Sequence, residues 1–199
     1  MRISELSPPF LSELKDSLRK RKGVIVDVHG TFVDARELRF VLPDGKTVIG
    51  QLRSVTDGQG LSFMREIGLK IVLASGHGQP LDSLIEKLND LPSVKNGKWA
   101  PVTGFTGQLA AGTKVRSIEK WLEANEMQWY DCICIGDDLN IVDVGRKCAY
   151  FFVPSDAQRV AKRFASIELT KPGGNGAVRE LAELILDARG IDESTLPPA

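Results

Sequence analysis

Short apolar runs recur between amphipathic segments from Gly23 to Arg189: "GVIVD", "KIVLAS", "CICIG" and "AYFFV". Each has the length and β-rich composition of a strand buried on both faces, and the segments between them place apolar residues at helical spacing. Examples are Leu61, Met64 and Ile67, then Leu81, Leu84, Ile85 and Leu88, then Val115, Ile118, Trp121 and Leu122. Parallel neighbours need crossover connections, so this alternation predicts an α/β, Rossmann-like fold: a mainly parallel sheet with helices on both faces. A chain of 199 residues suits one domain. Its core spans about 23–189.

The flanks and interruptions read as follows. Phe10, Leu11, Leu14 and Leu18 share a helical face after two prolines, predicting a leading helix over about 9–21. "LRFVLPDGKTVIGQL" sets two β-rich runs around Pro43-Asp44-Gly45, a hairpin outside the main alternation. Residues 90–113 are rich in Gly, Pro and Asn and read as loop, with a short strand at Ala100–Thr103. Further on, a short helix over Ile141–Arg146, a helix over Asp156–Phe164, a strand at Ile167–Leu169 and a helix over Ala177–Arg189 complete the pattern. Residues 191–199 read as a flexible tail.

Composition excludes some functions. Lys plus Arg and Asp plus Glu number 26 each, so no net field recruits nucleic acid or an acidic membrane. No segment is apolar for the length of a membrane span. Cys132, Cys134 and Cys148 are few, odd in number and set among apolar residues, as reduced thiols of a cytoplasmic protein would be.

In a parallel sheet, ligands collect beyond the carboxyl ends of the strands. There the sequence puts Asp27 after "VIV", Ser75 after "IVLA", and Asp137 and Asp138 after "CICIG". If these strands are neighbours, carboxylates and a hydroxyl share one crevice. Such a set suits Mg²⁺, which takes one or two carboxylates, keeps several waters and accepts phosphate oxygen. An aspartate beside the metal could attack a phosphoryl group.

"DVHGTFVD", "LASGHG", Lys114 in "GTKVRSIEKWL" and "IGDDLNIVD" resemble, in order, the four motifs of the haloacid dehalogenase (HAD) superfamily. "VTDGQGL", the hairpin before it and "GGNGAVRELAELIL" narrow the resemblance to capless phosphatases of 3-deoxy-D-manno-octulosonate 8-phosphate. The resemblance implies an Mg²⁺-dependent, cytoplasmic homotetramer whose hairpin packs between subunits. It implies a small phosphorylated substrate, a sugar or sugar acid, cleaved through an aspartyl-phosphate. Residue by residue, it implies that Asp27 is nucleophile and metal ligand, that Asp137 and Asp138 are on the metal side, and that position 29 gives the metal its backbone carbonyl. Ser75 and Lys114 would hold and neutralise the phosphoryl group. Asp57, Gly76, His77 and Asn175 would face the substrate.

The departures matter as much. His29 stands where active relatives carry the aspartate that protonates the leaving oxygen. His77 and Asn175 replace arginines, and Ile141 falls where a further aspartate is common. Two readings follow: a phosphomonoesterase with His29 as altered acid/base, or a degenerate homologue that binds or scaffolds. Transfer of phosphate to another sugar also stays open. The bland readings are a turn residue for Asp27, helix caps for Ser75 and Asp138, a solvated lysine for Lys114 and a plain loop for "GGNG".

Overall fold

The computed structural model describes residues 1–76, 81–106 and 113–197. Helix α1 (Pro8–Leu18) leads into strand β1 (Gly23–Asp27), followed by the hairpin β2 (Glu37–Val41) and β3 (Thr47–Gln51). Then come α2 (Val55–Glu66), β4 (Lys70–Ser75), α3 (Leu81–Asn89), α4 (Pro92–Lys95) and β5 (Thr103–Thr106). The second half runs α5 (Thr113–Ala124), β6 (Cys132–Ile135), α6 (Leu139–Gly145), β7 (Tyr150–Val153), α7 (Arg159–Phe164), β8 (Ile167–Glu168) and α8 (Ala177–Arg189).

The main sheet has the order β5-β4-β1-β6-β7-β8, with every pairing parallel. Side chains alternate between its faces, which separates two cores. Val24 and Val26 of β1 join Leu14, Met64, Leu181 and Ile185 on the face covered by α1, α2 and α8. Ile25 joins Ile118, Trp121 and Val142 on the face covered by α5, α6 and α7. Strand β1 is thus buried along its whole length, which explains why its sequence is uniformly apolar up to Asp27. No large cap interrupts the described chain; the hairpin forms a separate two-stranded sheet. Among the described residues no helix is long and apolar enough to cross a membrane.

Three expectations are adjusted. The strand predicted at Ala100–Thr103 lies at Thr103–Thr106, preceded by the short α4. Side chains claim the intervening backbone: Arg65 donates to the Ala100 carbonyl at 3.0 and 3.2 Å, and Asn89 both donates to and accepts from Val102. The sheet can take up the chain only after Val102. Helix α7 begins at Arg159 rather than Asp156, because the Gln158 backbone is extended and its N–H donates to the Asp137 carbonyl at 2.8 Å. In the terminal segment Asp192 caps a 3-10 turn at Glu193–Thr195.

Candidate active site

With β1 between β4 and β6, the carboxyl ends carrying Asp27, Ser75 and the Asp137 loop are adjacent. Asp27 is 2% exposed. Its Oδ1 accepts from Val28 N–H at 3.1 Å and from Lys114 Nζ at 3.0 Å. Lys114 opens α5, and its side chain is only 10% exposed, so the lysine is no solvated surface residue. Oδ2 of Asp27 is buried and has no hydrogen-bond partner among the described residues. Burial pushes the Asp27 carboxyl above the ordinary range, against the pull of Lys114.

Asp137 approaches from the next loop and accepts from Thr31 Oγ1 at 3.2 Å. The approach needs Gly30: its φ is +75°, and a Cβ there would lie 2.1 Å from Asp137 Oδ2. Burial first, then the negative charge of Asp27, pushes the Asp137 carboxyl up to about 7. Asp138 contributes to the same negative field, but its own carboxylate accepts from Leu139 N–H at 2.6 Å and caps α6 at an exposed position. In the structure Asp138 is thus a helix cap that adds negative charge nearby. Ile141, where an acid is common in the resembling motif, is fully buried against Gly136.

The His29 imidazole turns toward β4, with Nδ1 3.2 Å from the buried Ser75 Oγ. That orientation makes the Ser75 hydroxyl a neighbour of the ring. Gly76 follows, half-buried, at the strand end. His77 lies outside the described residues.

Asp57 and Asn175 fare differently. Asp57 is fully buried in α2, and its two oxygens accept from Gly176 N–H at 2.9 Å and Arg179 N–H at 3.0 Å. It caps α8, whose own N-cap residue is a glycine in the left-handed region. An enclosed carboxylate already bonded to two amides holds a helix rather than a substrate, so its substrate-side assignment is corrected. Asn175 is exposed and borders a cavity. The glycines before it are no plain loop. Gly174 N–H donates to Thr31 O at 2.7 Å, and at Gly173 a Cβ would fall 1.8 Å from the Gly30 carbonyl. "GGNG" is the backbone strut beneath the Asp27 loop.

Sequence reasoning missed Thr31, which lies inside a quoted motif, and Arg53, which lies in none. Among the described residues no group of three or more His, Cys, Asp or Glu side chains could hold a metal. Two carboxylates can suffice for Mg²⁺, which retains waters. The Asp27 Oδ2, unbonded among the described residues, and the raised Asp137 both suit a bound cation.

No family model matches the chain. It is 27% identical over 177 residues to the 3-deoxy-D-manno-octulosonate 8-phosphate phosphatase of Haemophilus influenzae, covering 89% of each protein. The cobalt-bound structure of the Haemophilus influenzae deoxy-D-mannose-octulosonate 8-phosphate phosphatase superposes with a TM-score of 0.69 at 26% identity, covering 87% of this chain and 92% of that one. The Moraxella catarrhalis phosphatase in complex with magnesium, phosphate and KDO gives 0.70 at 22% identity, over 89% and 92%. That last likeness speaks to fold alone.

Proposed function

We propose that this chain, a KDO 8-phosphate phosphatase-like member of the HAD superfamily, is a phosphomonoesterase acting on a small sugar or sugar-acid phosphate. The observation that carries the reading is the buried Lys114–Asp27 pair with Ser75 on the adjacent strand end. A helix-borne lysine and a serine beside a buried aspartate at a strand end are a means of holding a phosphoryl group in line with that aspartate as nucleophile.

In this reading Asp27 attacks phosphorus, the bond to the ester oxygen breaks, and a carboxylate–phosphate anhydride forms. His29 gives its proton to the departing alkoxide and then takes one from the water that hydrolyses the anhydride, restoring Asp27 and releasing phosphate. Lys114 neutralises and Ser75 hydrogen-bonds the transferring oxygens. Asp27, Asp137 and the carbonyl of residue 29 would hold Mg²⁺, which supplies positive charge to the phosphoryl oxygens when bound. The cobalt-bound structure of the Haemophilus influenzae relative supports a divalent cation there. Phosphate release from a panel of sugar phosphates, with Mg²⁺ and with chelator, tests the reading; no metal-dependent release from any of them would reject it. The same panel addresses the degenerate-homologue alternative, which the His29–Ser75 contact favours because it occupies the phosphoryl-side hydroxyl.

The metal site has a consequence for stability. The Asp137 carboxyl is raised from 3.8 to about 7 in the folded chain. A raised carboxyl favours folding only while protonated, so stability is full below the unfolded value and falls as pH rises through the folded one. Between pH 5.5 and pH 8 this group alone should cost about 2 kcal/mol without metal, or roughly 4–8 °C in Tm. Thermal melts should show the decline, Mg²⁺ should reverse it most at pH 8, and Asp137→Asn should remove it. A metal-free Tm that rises across that window in the wild type and in Asp137→Asn alike would contradict it.

The hairpin supports a homotetramer. Phe40 pairs with Val48 across β2 and β3, and Phe40, Val41, Val48 and Ile49 are about half exposed or more. A lone two-stranded apolar ribbon is marginal in water, so a second copy should cover it. Light scattering should give a tetramer at micromolar concentration, and Phe40→Glu should dissociate it; a wild-type monomer would refute the assembly. Free thiols at Cys132, Cys134 and Cys148 fit a cytoplasmic location.

A further inference from the structure

A 460 Å³ cavity opens beside the Asp27 loop, bordered by Asp34, Arg36, Arg53, Asp156, Gly173 and Asn175. Its walls come together through backbone bonds: Asp34 N–H to Leu52 O at 2.8 Å and Ser54 N–H to Gly174 O at 2.9 Å. It adjoins the catalytic loop. Gly173 packs on the Gly30 carbonyl, and Gly30 packs on the Asp137 carboxylate.

Most charges on this cavity are already committed. Arg36 and Asp34 form a two-pronged pair, with contacts at 2.6 and 3.0 Å. Asp156 takes the Gly173 N–H. Arg53 is the exception. Its guanidinium lies 5.0 Å over the Phe32 ring, Nη1 is buried without a partner, and none of its nitrogens makes a hydrogen bond to a described residue. The carboxylate that acts on it electrostatically, Asp57, spends both oxygens on α8. A half-buried cation stacked in place but unbonded is poised for an anion from outside the chain.

We infer that Arg53 is a specificity-determining residue that pairs with a carboxylate on the end of the substrate remote from phosphate. The planar guanidinium, braced on Phe32, offers a carboxylate two parallel hydrogen bonds. A phosphate is the less suitable occupant, since the substrate's phosphate belongs with Asp27, Ser75 and Lys114. That the ligand is a substrate rests on the hydrolytic reading above; that the cavity takes a carboxylate does not.

The test uses phosphogluconate and sorbitol phosphate, both phosphorylated on the terminal carbon and differing at the other end by carboxylate against hydroxymethyl. With Mg²⁺, kcat/KM and calorimetric Kd are measured for each on the wild type, Arg53→Met, Arg53→Lys and Asn175→Asp. The wild type should prefer the acid, and Arg53→Met, which keeps an apolar stem over Phe32, should cut that preference about tenfold or more. Arg53→Lys should recover part of it. Asn175→Asp, at an exposed position where folding is not at stake, should lower it by adding a negative charge to the same cavity. No preference in the wild type, or equal losses for both compounds in Arg53→Met, overturns the assignment. If neither ester is hydrolysed but the binding preference and its loss in Arg53→Met are present, the hydrolytic reading fails and this one stands.

Discussion

Asp27→Asn is expected to reduce phosphate release by about 10⁴-fold or more, to background. The amide keeps the shape of the side chain and leaves an oxygen for the Lys114 amine, now 3.0 Å away. It removes the nucleophilic charge and one of the two carboxylates that would hold the cation. Two readouts should therefore move together. Turnover should vanish, and the rise in Tm produced by Mg²⁺ should shrink, because the cation would lose the buried Oδ2 that bonds to no described residue. A circular-dichroism spectrum like that of the wild type would show that the loss is chemical. Substantial turnover by a folded Asp27→Asn protein would sink the covalent mechanism, and an unchanged response to Mg²⁺ would move the cation elsewhere.

The fold was legible because its signals are periodic. Uniformly apolar β1 and the helical spacing of α5 and α8 each report a burial pattern that repeats along the chain, and repetition survives errors at the ends. Asp27, Ser75 and Asp137 were legible for a related reason: each stops an apolar run, and a parallel sheet sends all such ends to one side. What the pattern lacks is strand order, so their convergence was conditional until β1 lay between β4 and β6.

The misreadings share a cause. Asp57 caps α8 across more than a hundred residues of chain, and Arg65 holds Ala100 away from the sheet. Such contacts run from one side chain to one distant backbone group and leave no periodic trace. The resemblance put Asp57 on the substrate side, whereas here it lies in the first turn of α2 with both oxygens on α8. Arg53 was passed over for the complementary reason. It lies in no motif, and only the tertiary structure shows that its buried Nη1 has no hydrogen-bond partner among the described residues.

His29 carries the second large effect. Expelling a sugar alkoxide requires a proton donor, and hydrolysing the anhydride requires a base, so one group must give and take a proton near neutral pH. Free imidazole, with a pKa of about 6.5, can do both. Its contact with Ser75 fixes the ring: if Nδ1 accepts the serine hydroxyl, Nε2 carries the proton, and if Nδ1 donates, Nε2 is the base. His29→Ala should then slow turnover of an alkyl phosphate by about 10²–10⁴-fold. An aryl phosphate, whose leaving group needs little protonation, should lose less in the first step. The contrast between the two esters separates acid catalysis from a mere packing role, since a displaced Ser75 would slow both alike. His29→Asp decides the remaining question. The aspartate restores the residue found in the resembling phosphatases, so if it turns a nearly silent protein into an efficient one, the histidine was a lesion and acid/base catalysis by His29 is excluded. If instead the wild type is active and His29→Asp changes the pH–rate profile without raising its maximum, the imidazole is the proton carrier, and Ser75 has the further task of holding its ring in line.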